Sequence, residues 1–230
     1  MKRNVLVISD LQAPFHHKGS LDFLSDQQRR WKANKIVCIG DEVDFHAISL
    51  HEKEAEANGP AQELKHAKLL LKQLYRLFPQ VDVCLSNHTD RPYRVAGKYG
   101  IPREFLKDYK NLLHAPKGWN WFNRVYVDGV VYQHGEGYSG KNGAIQAAMI
   151  NRQSTVIGHL HSHGGVLWHA NDNDLIFGMN VGCLIDVDAY AFRYGRTFKD
   201  KPTLGCGVVI EGQQAYFIPM PLGSKVVRLR

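Results

Sequence analysis

Three short apolar runs in the first half of the chain each stop on polar residues, and this limits the fold more than any other feature. "NVLVIS" leads into Asp10, "KIVCIG" into Asp41 and "VDVCLS" into Asn87. Each run is short, apolar and bounded by turn-forming residues, so each reads as a buried strand. Helical patterns lie between them, one around residues 20 to 33 and one in "PAQELKHAKLLLKQLYRLF". The second has proline in its first turn, and Leu64, Ala67, Leu71, Leu74 and Phe78 keep the spacing of one buried face. Strands alternating with helices predict parallel pairing through crossover helices, hence an α/β fold.

The second half is richer in strands. "NRVYVDGVVYQH" predicts a hairpin turning at Asp128-Gly129, and "GAIQAAMIN" a short helix with small residues on its packing side. "STVIGH", "GVLWHA", "DLIFGMN", "GCGVVIE" and "QAYFIPM" read as further strands. With no repeat and no Pro/Gly/Ser linker, residues 1–230 are expected to form one domain with a sandwich-like core. "HEKEAEANGP", residues 51 to 60, reads as a charged stretch, with a lid and an idle surface loop both open as roles.

Polar side chains gather where the strands end. Asp10 follows the first, Asp41 and Asp44 the second, and Asn87 and His88 the third; His134 follows "VVYQ", and His159 and His161 follow "TVIG". In open α/β sheets the carboxyl ends of the strands face the crevice that binds ligands. Each residue alone has a plainer reading: Asp10 as a helix cap, Asp41 and Asn87 as turn residues, His134 as a bonded loop residue. Together they bring carboxylate, amide and imidazole groups to one edge. That donor mixture suits manganese, iron or zinc better than calcium. If the "HLHSH" run is extended, His159, His161 and His163 share a face.

The ordered blocks "SDLQ", "GDEVD", "SNHTD", "QHG" and "GHLH" resemble the calcineurin-like metallophosphoesterases. Their signature runs Asp-x-His, Gly-Asp-x-x-Asp, Gly-Asn-His-Asp/Glu, His and Gly-His-x-His. The match spans residues 8 to 161, and each block follows a predicted strand. "APFHH" and "DFHAIS" also resemble small phosphoesterases of phage and bacterial genomes. The resemblance implies a metallophosphoesterase-like β-sandwich flanked by helices, in four layers αββα. It also implies two divalent metal ions bridged by Asp41, manganese foremost, with iron, zinc, nickel or magnesium as alternatives. One ion would be held by Asp10, Asp41, His161 and Gln12, the other by Asp41, Asn87, His134 and His159. His88 would face the substrate as the catalytic residue, and Asp44 and Asp90 would orient the groups inside them. Apart from the resemblance, Arg91, three residues after His88, is open both as a bidentate phosphate contact and as a surface arginine. The chain departs from the signature at Ser86 in place of glycine, at Thr89 before the acid, and at Gln12 in place of histidine.

The implied activity is metal-dependent phosphoester hydrolysis, with a nucleotide or nucleic-acid phosphodiester as the expected substrate. A phosphomonoesterase and a non-catalytic binding module of the same fold are the alternatives. The net charge of +7 suits a polyanionic or anionic partner only weakly, because the basic residues are scattered. "GEGYSGKN", residues 135 to 142, fits part of a phosphate-binding loop, but Asn142 stands where a magnesium-binding hydroxyl belongs. A glycine-rich turn beside His134 is the simpler expectation. Four cysteines without close spacing read as reduced core residues. No apolar run approaches the roughly 18 residues of a membrane span, and the N-terminal apolar stretch is short for a signal peptide. A cytoplasmic location is the expectation.

Overall fold

The computed structural model describes residues 2–50, 57–189, 191–192 and 199–221. The first strand, β1 (Asn4–Ile8), is followed by α1 (Ser20–Arg30), β2 (Lys35–Cys38), α2 (Pro60–Leu77) and β3 (Val81–Cys84). Next come α3 (Arg91–Lys98), α4 (Tyr109–Leu113), β4 (Trp119–Phe122), β5 (Val125–Val127) and β6 (Val130–Tyr132). The order then runs α5 (Gly143–Asn151), β7 (Thr155–Ile157), β8 (Gly164–Ala170), β9 (Leu175–Val181), β10 (Gly205–Ile210) and β11 (Gln214–Pro219).

Local chemistry explains several boundaries. In α2, Gly59 precedes Pro60, whose missing N–H costs nothing at a helix start. Its buried face is Ala67, Leu70, Leu71 and Leu74, each buried leucine contributing about 1.5–3 kcal/mol. α1 stops at Arg30, short of the expected residue 33, because Lys32 is left-handed at φ 50° and Ala33 N–H folds back onto the Gln28 carbonyl. The β5–β6 turn is Asp128-Gly129, both at positive φ, the backbone twist that a two-residue hairpin favours. The "HEKEAE" part of the charged stretch and the chain end from residue 222 lie outside the described residues.

Two sheets form the core. The six-stranded one runs β11–β10–β1–β2–β3–β4, and the five-stranded one β5–β6–β7–β9–β8. β1, β2, β3 and β4 are mutually parallel, as the strand–helix alternation requires, whereas β10 pairs antiparallel with β1. Val5, Val7, Val37, Ile39 and Val209 of the first sheet meet Val130, Tyr132, Val156, Phe177 and Met179 of the second. On the outer face of the first sheet, Leu6, Ile8 and Val83 pack with Leu24 of α1 and Leu71 and Leu74 of α2. Ala144 and Ala147 of α5 cover Ile157 on the second sheet. The layers are therefore helix, sheet, sheet, helix, with a mixed α/β content. All four cysteines are free and buried. Among the described residues no helix is long and apolar enough to cross a membrane.

Candidate metal centre

Parallel strands end on the same edge, and β1, β2, β3, β6 and β7 each pass directly into one of the polar segments. The turns there are tight. Asp10, Gln12, Asp41 and His159 all sit at φ between 47° and 66°, a left-handed conformation that costs L-residues about 1–3 kcal/mol each. The loops are tied together by backbone bonds: Gln12 N–H donates to the Asp41 carbonyl, and Leu184 N–H to that of Asp10. Gly40 (φ 98°) and Gly158 allow this crowding. A Cβ at position 40 would lie 2.6 Å from Ser86 Cβ, and one at 158 would lie 2.5 Å from Asp10 Oδ2.

Two groups of side chains result. Asp10, Asp41 and His161 offer ligand atoms within 4.8 Å of one another, and so do Asp41, His134 and His159. Asp41 belongs to both. In the first group His161 Nε2 lies 3.0 Å from Asp10 Oδ1 and 3.1 Å from Gln12 Nε2, which is itself 3.3 Å from Asp41 Oδ2. A single Nε2 proton cannot serve both contacts of His161, and Gln12 Oε1 is buried without a hydrogen-bond partner. In the second group, His134 Nδ1–H donates to the Ile39 carbonyl, so a neutral ring turns the lone pair of Nε2 inward. That atom faces Asn87 Oδ1 at 2.8 Å, His159 Nδ1 at 3.1 Å and Asp41 Oδ2 at 3.5 Å. Acceptors converge there without enough donors, a lack that cationic ligands make good. The residues present fit divalent metal ions.

Charge and burial act in opposite directions here. Burial raises the Asp10 carboxyl, but the hydrogen bond and charge of His161 outweigh it and hold it below the usual range. Asp41 is likewise pushed up by burial and drawn well below the usual range by His134 and His88. His161 is disfavoured as a cation by burial yet raised by Asp10. His159 is lowered by burial and by neighbouring His134.

His88 lines the same cavity. Its backbone N–H donates to Asp41 Oδ1 at 3.2 Å, its Nδ1 lies 3.3 Å from Asp44 Oδ1, and its Nε2 is 3.8 Å from Asp41 Oδ2. Burial lowers this imidazole, but Asp41 and Asp44 together raise it. Arg91 is drawn to Asp44. One guanidinium nitrogen donates to the carbonyl and carboxylate of Asp44 and to the Phe45 carbonyl, all within 3.2 Å. Asp90 accepts from Tyr109 Oη at 3.0 Å and pairs with Arg103, so Asp44 is the carboxylate at the His88 ring. The "HLHSH" segment is not extended: Leu160 N–H donates to Gly158 O and His161 N–H to His159 O, a pair of tight turns. His163 consequently lines a neighbouring pocket with Lys141 and Thr203 instead of joining the two groups.

No family model matches this sequence. No curated protein matches it either. Among solved structures it is similar to Vacuolar Protein Sorting 29 from Cryptosporidium parvum, at 14% identity and a TM-score of 0.44 over 91% of this chain and 86% of that one. It is also similar to Yfce, a phosphoesterase from E. coli (16%, 0.39, over 89% and 87%), and to Vps29 of Chaetomium thermophilum (11%, 0.40, over 89% and 80%).

A buried network carries no sign in the motif pattern. Asp41 N–H donates to Ser86 Oγ at 2.9 Å, Ser86 Oγ lies 2.8 Å from Thr89 Oγ1, and Thr89 donates to Glu42 Oε2 at 3.0 Å. Trp121 Nε1 donates to Glu42 Oε1 at 2.9 Å. With Ser86 donating to Thr89, every hydroxyl donates once and the chain of bonds has one direction. Burial raises the Glu42 carboxyl, while Trp121 and Thr89 pull it back. Two of the three residues that depart from the signature, Ser86 and Thr89, are thus the ones that brace Asp41 against Glu42. The only hint in the sequence is a charged residue directly after a buried strand.

Proposed function

We propose that the chain is a calcineurin-like metallophosphoesterase, a metal-dependent hydrolase of phosphoesters. The observation that carries this reading is Asp41 shared between two groups of candidate ligands, with His88 beside it. Asp10, Gln12, Asp41 and His161 would hold one divalent ion, and Asp41, Asn87, His134 and His159 the other, manganese being the metal proposed. When bound there, such ions would supply neutralisation of charge on the ester oxygens and a lowered pKa of nearby water.

The protein's own groups do the remainder. The Asp44 carboxylate, fixed by Arg91, stands 3.3 Å from Nδ1 of His88, and His88 lines the cavity, where its ring can give a proton to the departing oxygen. With Arg91 committed to Asp44, its proposed contact with phosphate is indirect, through the His88 ring. The glycine-rich turn at Gly135 closes against the Gly158 carbonyl and supports the His134 and His159 segments. We further propose a phosphodiester of the nucleotide type as substrate, and an intracellular, single-domain enzyme of the small phage and bacterial kind.

The test is a panel assayed with manganese: an aryl monoester, an aryl diester, 2′,3′- and 3′,5′-cyclic nucleotides, and single- and double-stranded DNA. Turnover of the aryl diester that His88→Ala lowers at least about 100-fold is expected. Binding of manganese without turnover of any member would favour the non-catalytic reading, and a preference for the monoester would favour the phosphatase one.

A further inference from the structure

The candidate metal groups open into a cavity of about 820 Å³, a volume typical of small-molecule sites. Its lining includes Asp41, His88, His159 and His161. Other segments bring a different chemistry. Ile185, Val187, Phe192 and Pro202 form an apolar wall of the same cavity. The segment carrying the first three is anchored to the loop of the first ligand. Leu184 N–H donates to Asp10 O, Asp186 N–H to Phe15 O, and Ile185 bridges to His16. The Phe192 ring meets Phe15 edge-on at 6.2 Å between centroids. The wall therefore has a fixed distance from the candidate metal ligands.

Phe192 is 8% exposed, whereas Val187, also lining the cavity, is 47% exposed, which gives a firm ring beside a more open apolar side chain. Among the described residues the rim carries Lys199 and Lys201 next to Asp188 and Asp200, so these four side chains balance in charge. A single flat, uncharged group gains from the wall behind it.

We propose that this wall is a specificity subsite: it takes an aromatic or similarly flat apolar ester group of a small phosphodiester, such as one nucleobase-bearing or aryl group, while phosphorus sits beside His88. This rests on the phosphoesterase reading above and narrows its substrate from nucleic acid to a small organic phosphodiester.

Two esters with the same leaving group separate the subsite from the chemistry: bis(4-nitrophenyl) phosphate and methyl 4-nitrophenyl phosphate, assayed with manganese. The ratio of their kcat/KM values reads the retained ester group, aryl against methyl. Val187→Asn, at an exposed position, and Phe192→Ala are each expected to lower that ratio about five- to tenfold relative to the unmodified protein. A ratio unchanged in Val187→Asn overturns the subsite, whether or not Phe192→Ala folds, and so does a higher kcat/KM on single-stranded DNA than on the diaryl ester. No turnover of either ester by the unmodified protein sinks the phosphoesterase reading itself, a distinct outcome.

Discussion

Replacing Thr89 by valine removes one hydroxyl and almost nothing else, since the two side chains have nearly the same shape. Thr89 is fully buried, and its Oγ1 is bonded to Glu42 on one side and Ser86 on the other. Hydrogen bonds to a charged group are worth about 1.5–3 kcal/mol. The Ser86 hydroxyl left without an acceptor adds on the order of 1 kcal/mol. The combined loss is therefore about 3 kcal/mol, because Glu42 is fully buried. For a chain of this size each kcal/mol lowers Tm by roughly 2–4 °C, so Thr89→Val should melt about 6–12 °C lower. Thr89→Ser keeps the hydroxyl and loses a methyl worth about 1 kcal/mol. Calorimetry of both variants, in chelator so that metal binding adds nothing, gives the comparison. The network has no energetic role if Thr89→Val melts within about 2 °C of Thr89→Ser.

Gly40→Ala should destabilise the protein by about 3 kcal/mol or more in urea titrations, because a positive φ and a 2.6 Å contact with Ser86 Cβ act together; a change under about 1 kcal/mol contradicts the crowding described. Gln12→His should bind manganese at the first group about tenfold more tightly by calorimetric titration, since imidazole is the stronger donor for this metal. Equal isotherms for the two proteins would mean that Gln12 lies outside the coordination sphere. Glu63, buried in α2, accepts the backbone N–H groups of His46 and Ala47; burial raises its carboxyl above 4.5, and those bonds only partly oppose this. A folded pKa above the unfolded one gives stability that is complete below about pH 4.5 and lost as pH rises through the folded value. Glu63→Gln should therefore gain ground on the unmodified protein between pH 4.5 and 7 in urea midpoints, and a constant difference across that range refutes the assignment.

Much of the fold was legible because its determinants are local. β1, β2 and β3 are short apolar runs, α2 repeats one buried face, and Asp128-Gly129 dictates its own turn. The gathering of Asp10, Asp41, Asn87, His134, His159 and His161 follows from strand ends sharing an edge, which alternation already implies. What escaped depends on distant partners. Glu42 reads as an ordinary loop acid until Thr89 and Trp121 are beside it. Arg91 reads as a phosphate ligand until Asp44 takes its guanidinium. His163 shares a face with His159 and His161 only if the backbone is extended, and His159 at φ 66° breaks that condition. Phe192 carries no motif at all, and only the pairing of residues 184–186 with the first loop brings it to the cavity.

The strand order has a consequence for how the protein comes off the ribosome. β1 is made first, yet it lies between β2 and β10, whose residues follow some two hundred positions later. At about 5–20 residues per second, one edge of β1 waits roughly 10–40 s for its partner. Every proposed ligand, ending with His161, has been made by then. Over the last 44 positions before β10, from His161 to Gly205, the growing chain holds all its proposed metal-binding side chains while a valine-rich strand edge stays open to any other strand nearby. Premature metal capture and mispairing would compete with folding in the same window, and release of β10 and β11 is the event that closes both.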